Sequence, residues 1–196
     1  YCSRVQEALR VLEEFTRNTD PALASNASKI RYGLYELEIT ILKSTVSTKL
    51  RQKLQACKLC LITSPKEDLI STVSKALEAG VAMVQYRCKN GSDLERLAQA
   101  KTLASVCKTY DALFIVNDRL DLALATDADG VHLGQDDIPT DIARDLLGNE
   151  KLIGRSTHCL EQLNKAESEG CDYLGVGPIF PTKTKPEEKV AGISYI

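Results

Sequence analysis

The stretch LFIVNDRLDLALATDADGVHL, residues 113–133, decides the fold. Leu113–Val116 is an apolar run of strand length, Leu120–Ala125 follows at helical spacing, and Gly130–Leu133 returns to a strand-like run. Strand, helix and strand in so short a stretch describe a β–α–β unit, whose strands run parallel and are joined by a right-handed crossover. The alternation extends both ways. Upstream lie Leu59–Thr63 with Leu69–Ala79, and Ala82–Tyr86 with Leu94–Cys107. Downstream come Ile138–Leu147, then Leu152–Gly154 with Leu160–Glu169, and finally Tyr173–Val176. The strand runs are nearly continuous in apolar residues, as expected where helices cover a parallel sheet. The fold class is α/β. Two architectures fit: a (β/α)₈ TIM barrel, incomplete at its C-terminal end with about six strands present, or an open doubly wound sheet.

Polar clusters at the strand ends favour the barrel. Gln85, Arg87 and Lys89 follow one strand and Asn117 and Asp118 another. Asp136 and Asp137, then Ser156 and His158, then Thr182, Thr184 and Lys185 follow three more. A barrel brings all such loops to one mouth, whereas an open sheet spreads them along an edge. No Gly-x-Gly-x-x-Gly fingerprint follows the first strand, so a dinucleotide fold is not indicated.

Residues 1–55 read as a partial helical domain and 56–196 as the barrel. Val5, Leu9, Leu12 and Phe15 recur at helical spacing, and Asp20-Pro21 closes that segment. A second helix is predicted from about Pro21 through Leu42, with Ile30, Leu34, Leu37 and Ile41 on one stripe. Two amphipathic helices cannot bury such faces alone, so these stripes are expected to pack on each other or on a further surface. The chain has 196 residues, 43% of them hydrophobic, with a formal net charge of −2. That composition supports a buried core and gives no basic field for nucleic acid. No apolar run approaches the ~20 residues of a membrane helix, and no signal peptide is visible at the N-terminus. Seven cysteines, an odd and scattered set, read as reduced thiols of a cytoplasmic protein. Cys57-Lys58-Leu59-Cys60 has redox-motif spacing, but it lies in a strand-like run and reads as small core residues. The chain starts at Tyr1, has Met83 as its only methionine and stops at Ile196 apart from any helix stop signal. Both ends therefore read as cut from a longer protein.

The clustered residues suit phosphate chemistry. Gly177-Pro178-Ile179-Phe180-Pro181-Thr182-Lys183-Thr184-Lys185 offers hydroxyls, backbone N–H groups and two ammonium groups. Arg87, Lys89 and Lys185 supply positive charge for a diphosphate, and Gln85 and Asn117 supply amides that orient a ring or a phosphate oxygen. Asp118 with Asp137 or Asp136 supplies the carboxylates that Mg²⁺ prefers. Neither His132 nor His158 has a serine or cysteine at nucleophile spacing. A site rich in charge and poor in acid–base groups suits departure of a good leaving group such as diphosphate.

The segment from Cys57 to Ile196 resembles the thiamine-phosphate synthase (thiamine-phosphate pyrophosphorylase) family. The motifs that carry the resemblance, in order, are QYRCK (85–89), VNDRLDLAL (116–124), ADGVHLGQDD (128–137), GRSTH (154–158) and DYLGVGPIFPTKTK (172–185). RVQEALRVLEEF (4–15) and KIRYGLYELE (29–38) resemble the helical domain fused to this enzyme in some bacteria. The resemblance implies a (β/α)₈ barrel that joins 4-amino-2-methyl-5-(hydroxymethyl)pyrimidine diphosphate to thiazole phosphate, releasing diphosphate and forming thiamine phosphate. It implies that Gln85, Arg87, Lys89, Asn117, Ser156 and Lys185 hold the pyrimidine diphosphate, with Ser156 and Lys185 as catalytic residues. It places Mg²⁺ on Asp118 and Asp137, and the thiazole phosphate on Thr182, Lys183 and Thr184. Its partners are small molecules, with no nucleic acid or membrane, and it leaves room for a homo-oligomer. Cys88 stands where the family has glutamate, and Arg155 where an apolar residue precedes the serine. The six strands predicted imply that the last part of the thiazole-phosphate site lies beyond Ile196.

Other readings compete. Asp118 and Arg119 could simply cap the following helix. His132 reads as a packed or hydrogen-bonded core residue and His158 as a local structural one. Glu187-Glu188-Lys189 reads as a solvated loop or a closing lid. A thiazole tautomerase-like isomerase and a non-catalytic phosphate-ligand binding barrel are the rival functions; the isomerase would need neither the paired aspartates nor the Gln-x-Arg-x-Lys cluster.

Overall fold

A computed structural model describes residues 2–181 and 190–193. The chain divides into two compact units, Tyr1–Val46 and Ser47–Ile196.

The first unit is a helical hairpin made of α1 (Cys2–Thr16) and the part of α2 (Pro21–Ala56) up to Val46. Asp20 caps α2: its Oδ1 accepts the Leu23 N–H at 3.0 Å, and Pro21 takes the first helical position, where a missing N–H costs nothing. Gln6 Nε2 donates to Glu38 Oε2 at 2.9 Å, and Arg31 Nη2 meets Glu13 Oε2 at 2.9 Å, tying the helices together. What the hairpin buries is small: Ala24, Ala27 and Gln6. Of the apolar stripes, Leu9 and Leu34 are half-buried, while Val5, Leu12, Ile30, Leu37 and Ile41 are exposed and Phe15 is at 84% exposure. α2 also runs on to Ala56, past the stop expected near Leu42.

The second unit is built on β1 (Cys60–Ile62), β2 (Met83–Tyr86), β3 (Leu113–Asn117), β4 (Gly130–Leu133), β5 (Leu152–Thr157) and β6 (Tyr173–Val176). Between them come α3 (Leu69–Glu78), α4 (Asp93–Thr109), α5 (Leu120–Ala125), α6 (Thr140–Leu147) and α7 (Leu160–Ser168). All neighbouring strands pair in parallel, in the order β1-β2-β3-β4-β5-β6. A doubly wound sheet reverses its strand order at a switch point; this sheet does not, so its progression is that of a barrel segment. The expected boundary near residue 55 falls inside α2, whose last turns pack with the sheet. β5 runs to Thr157, so Arg155 and Ser156 are strand residues rather than residues following a strand. Among the described residues no helix is long and apolar enough to cross a membrane.

The period of two sorts every strand into two faces. Val84, Tyr86, Phe114, Val116, Val131, Leu133 and Ile153 face the helices, meeting Val73 and Leu77 of α3, Leu103 and Cys107 of α4, and Ala143 and Leu147 of α6. Met83, Leu113, Ile115 and Leu152 face the other way and are covered by Leu50 and Leu54 of α2, by Cys57 and by Tyr173. α4 is opened by a capping box, Ser92 accepting from the Glu95 N–H while the Glu95 carboxylate accepts from the Ser92 N–H.

Two aspartates lock the strand starts. Asp129, just before β4, accepts the Phe114 N–H of β3 at 2.8 Å. Asp172, just before β6, accepts the Ile153 N–H of β5 at 2.9 Å and Arg144 Nη2 at 2.6 Å, and meets Arg51 Nη2 of α2 at 3.0 Å. Removing one partner of a buried pair leaves the other charge desolvated and alone. Asp172, whose side chain is 5% exposed, meets that condition. Asp172→Ala is therefore expected to destabilise the sheet unit by about 3 kcal/mol in urea unfolding. Lys151→Ala, which removes the ion pair with the 92%-exposed Asp127, is expected to cost less than about 1 kcal/mol.

Candidate active site

The inward face changes character along each strand. At the strand starts it is apolar, and towards the C-terminal ends it carries Gln85, Asn117, His132 and Ser156. In register, Asn117 lies beside His132, His132 beside Gly154, Gly154 beside Tyr173, and Ser156 beside Gly175. Beyond the strand ends stand Arg87, Lys89, Asp118, His158 and Gly177. All of these but Gly154 line a cavity of about 630 Å³, whose apolar lining includes Leu54, Ile62 and Met83. A volume of this size is typical of small-molecule sites.

The acidic side of the cavity is set by backbone geometry. Asp118 has φ of +64°, a conformation that aspartate tolerates better than most side chains. Its N–H continues the β3–β4 ladder by donating to the His132 carbonyl at 2.9 Å. Arg119, the N-cap position of α5, makes no side-chain cap hydrogen bond, so capping does not account for this pair. The Asp118 carboxyl interacts instead with Asp137, whose Oδ2 accepts the Gly134 N–H at 2.6 Å. Burial first, and then the Asp137 charge, push the Asp118 carboxyl above the ordinary carboxylate range, while Lys89 and Arg87 pull the other way. Asp136 is exposed beside this pair. Among the described residues no group of three or more histidine, cysteine or acidic side chains forms a ready metal cage. A pair of hard oxygen donors in an electrostatically strained arrangement nevertheless fits Mg²⁺, which binds through one or two carboxylates and fills its remaining positions with water and phosphate oxygens.

The cationic side rests on buttressed loops. Buried Thr63 donates its N–H to the Gln85 carbonyl at 2.9 Å, and its Oγ1 accepts the Arg87 N–H at 2.9 Å. Arg96 Nη2 donates to the Lys89 carbonyl at 3.1 Å, and Asp93 joins Arg96 to Arg119 through contacts of 2.7 and 2.9 Å. Cys88 is turned away, its thiol donating to the Asn90 carbonyl at 3.1 Å. Arg155 is buried on the helix-facing side, where Nη1 donates to the Ile138 carbonyl at 2.9 Å, next to Asp137. Cys60 lines the cavity as an exposed residue rather than the core residue expected, and partial desolvation with its neighbour Cys57 pushes its thiol up to about 11, the opposite of a redox-active cysteine.

Gln85, Arg87, Lys89, Asn117, Asp118 and Ser156 are thus brought to one cavity, and Asp137 lies against Asp118. Thr182, Lys183, Thr184 and Lys185, like Glu187-Glu188-Lys189, lie outside the described residues. Three further residues carry the site. Gln135 Nε2 donates to the Ser156 carbonyl at 2.5 Å, His132 Nε2 lies 3.0 Å from Ser156 Oγ, and the Tyr173 hydroxyl lies 3.3 Å from His132 Nδ1. The available signal was strand parity, which puts His132 on the face of Gly130 and Gly134 rather than on that of Val131. His158 Nδ1 bonds the Gly177 carbonyl, and its N–H donates to Gln162 Oε1 at 2.7 Å, so it anchors the start of the Gly177–Pro178 loop.

Residues 59–196 match the family model described as thiamine monophosphate synthase, and residues 1–40 match the ThiD2 family model. The whole chain is 64% identical to the thiamine-phosphate synthase of Prochlorococcus marinus (strain MIT 9303), of which it covers 57%. Over 98% of its length it is 53% identical to the thiamine-phosphate synthase of Synechocystis sp. (strain ATCC 27184 / PCC 6803 / Kazusa), covering 55% of that protein. The chain therefore spans rather more than half the length of these curated relatives. The structure of a thiamine phosphate pyrophosphorylase from Pyrococcus furiosus matches with a TM-score of 0.65 at 42% identity, over 74% of this chain and 69% of that one. Parallel strands in sequential order, a polar cavity at their C-terminal ends and a family model spanning most of the sequence agree: the chain belongs to the thiamine monophosphate synthase family.

Proposed function

We propose that residues 56–196 are the synthase part of this protein, a (β/α)₈ barrel of which about six strands are present, and that residues 1–55 are part of a fused helical domain. The cavity binds 4-amino-2-methyl-5-(hydroxymethyl)pyrimidine diphosphate and joins it to thiazole phosphate, giving thiamine phosphate and diphosphate. The observation that carries this reading is the Asp118–Asp137 pair set in one cavity with Arg87 and Lys89. Two carboxyl groups that repel each other, placed next to two cations, suit a ligand that arrives as a polyanion with a divalent ion. A tautomerase-like isomerase has no use for that arrangement.

Mg²⁺ held by Asp118 and Asp137 would neutralise charge on the departing diphosphate. Arg87 and Lys89 add positive charge from the β2 side of the cavity, where Arg87 can grip two phosphate oxygens at once. The Gln85 and Asn117 amides orient the ring or a phosphate oxygen. The C–O bond to diphosphate breaks with its electron pair leaving on oxygen, and the thiazole nitrogen supplies the pair for the new C–N bond. The apolar lining at Leu54 and Met83 limits the water that can compete for the carbon. Ser156 contributes a hydroxyl at the cavity wall. Lys185 on the diphosphate and Thr182, Lys183 and Thr184 on the thiazole phosphate complete the reading. A reduced, cytoplasmic setting fits the thiols of Cys57, Cys60 and Cys107.

Calorimetric titration of the folded chain with the pyrimidine diphosphate tests this reading. Binding is expected to require Mg²⁺, and Asp118→Ala is expected to weaken it by at least about tenfold, ~1.4 kcal/mol. Equal binding without Mg²⁺ and in the variant would favour a non-catalytic phosphate binder; no binding by a folded chain would overturn the synthase reading. Arg87→Lys keeps the charge but loses the bidentate fork. It is expected to raise Kd by about tenfold, with the loss persisting at high salt, since geometry rather than long-range attraction is removed.

A further inference from the structure

The inner face of the sheet holds a hydrogen-bonded chain that ends in the cavity. His132 on β4 is 9% exposed, and its ring lies against strand segments without side chains. A Cβ at Gly154 would come within 2.6 Å of His132 Nδ1 and 2.2 Å of Tyr173 Cζ. A Cβ at Gly175 would come within 3.0 Å of His132 Cε1 and 3.2 Å of Nε2. Gly154 therefore leaves a slot that an added side chain would fill, and Gly175 borders it closely. Within it the imidazole packs against the Tyr173 ring, centroids 5.5 Å apart, with Nδ1 at 3.3 Å from the Tyr173 hydroxyl and Nε2 at 3.0 Å from Ser156 Oγ. His132, Tyr173 and Ser156 all line the cavity.

The chain has a direction. Burial, followed by the neighbouring Cys60, pushes the Tyr173 hydroxyl above its ordinary range, so it keeps its proton. A phenol that keeps its proton can donate to Nδ1, and an imidazole that is neutral and accepts there carries its own proton on Nε2, where it donates to Ser156 Oγ. With its oxygen accepting from the imidazole, Ser156 turns its hydroxyl hydrogen away from His132 and into the cavity.

We propose that Tyr173 and His132 are positioning residues that fix the direction of the Ser156 hydroxyl, so that Ser156 presents a hydrogen-bond donor to an acceptor atom of the bound ligand. The identity of that ligand rests on the pyrimidine diphosphate reading; the direction of the chain does not. The opposite tautomer would offer Ser156 as an acceptor, and the site would then favour a ligand amino group at this point.

The tautomer can be read directly. The chain contains two histidines, so ¹⁵N-histidine labelling with long-range proton–nitrogen correlation resolves both rings, and His158→Gln assigns them. Above the imidazole titration range, His132 is expected as the Nε2–H tautomer. Tyr173→Phe keeps the ring and is expected to release a mixture with Nδ1–H; Ser156→Ala is expected to retain Nε2–H. In calorimetry with the pyrimidine diphosphate and Mg²⁺, Tyr173→Phe is expected to raise Kd about threefold to tenfold. It should add little further loss on top of Ser156→Ala, because both act through one hydroxyl. An Nδ1–H signal for wild-type His132, an unchanged spectrum in Tyr173→Phe, or additive losses would overturn the proposal. Normal ligand binding with the Nδ1–H tautomer would sink this inference alone. Absent binding with the Nε2–H tautomer would sink the synthase reading and leave the direction of the chain standing.

Discussion

Parallel pairing in chain order is the constraint on which the rest of the sheet unit depends. It sends the C-terminal end of every strand to the same rim, so residues far apart in sequence meet without any long loop reaching across. The order β1 to β6 is held at the opposite rim by Asp129 and Asp172, each accepting an N–H from the preceding strand. Chemistry and stability are therefore largely separated along the strand axis, with the two aspartate strand locks at the starts and the cavity at the ends. This is the division of labour expected of a barrel, where loops at the C-terminal face vary with function and the N-terminal face carries stability.

The cavity works against local stability in a way that points to a ligand. Two aspartates face each other across the ends of adjacent strands, one of them in a left-handed backbone conformation, and the surrounding burial disfavours charge on Asp118. Strain and unfavourable electrostatics of this kind persist only where the rest of the structure enforces them. The backbone of β3 and β4 does so through the hydrogen bond from Asp118 N–H to His132. The backbone at Arg87 and Lys89 is likewise held, by the Thr63 hydroxyl and the Arg96 guanidinium. The backbone that carries these cations is thus placed in advance of any ligand, which lowers the ordering cost on binding.

The helical hairpin obeys a different logic. Its two helices are tied by polar pairs, and Val5, Leu12, Phe15, Ile30, Leu37 and Ile41 are exposed. Its sequence matches a family model separate from that of the sheet unit.

The sequence by itself determined the elements and most of the chemistry. Apolar runs alternating with amphipathic segments specify parallel strands and crossover helices, because such preferences are local, and the positions of Arg87, Lys89, Asn117 and Asp118 at strand ends were legible as one charged cluster, which the structure brings to one cavity. Sequence also under-read particular places. β5 extends through Ser156 because ladder partners on β4 and β6, rather than apolar content, keep it extended. α2 continues past Leu42 because its last turns find Met83, Leu113 and Leu152 to cover. What only the tertiary structure decided is the order of the strands, the contact of Asp118 with Asp137 rather than with Asp136, and the slot in which Tyr173, His132 and Ser156 form one chain. Those depend on register: a shift of one residue would turn His132 to the helices and Val131 to the cavity, and nothing in the local sequence of β4 measures its alignment with Gly154 and Gly175.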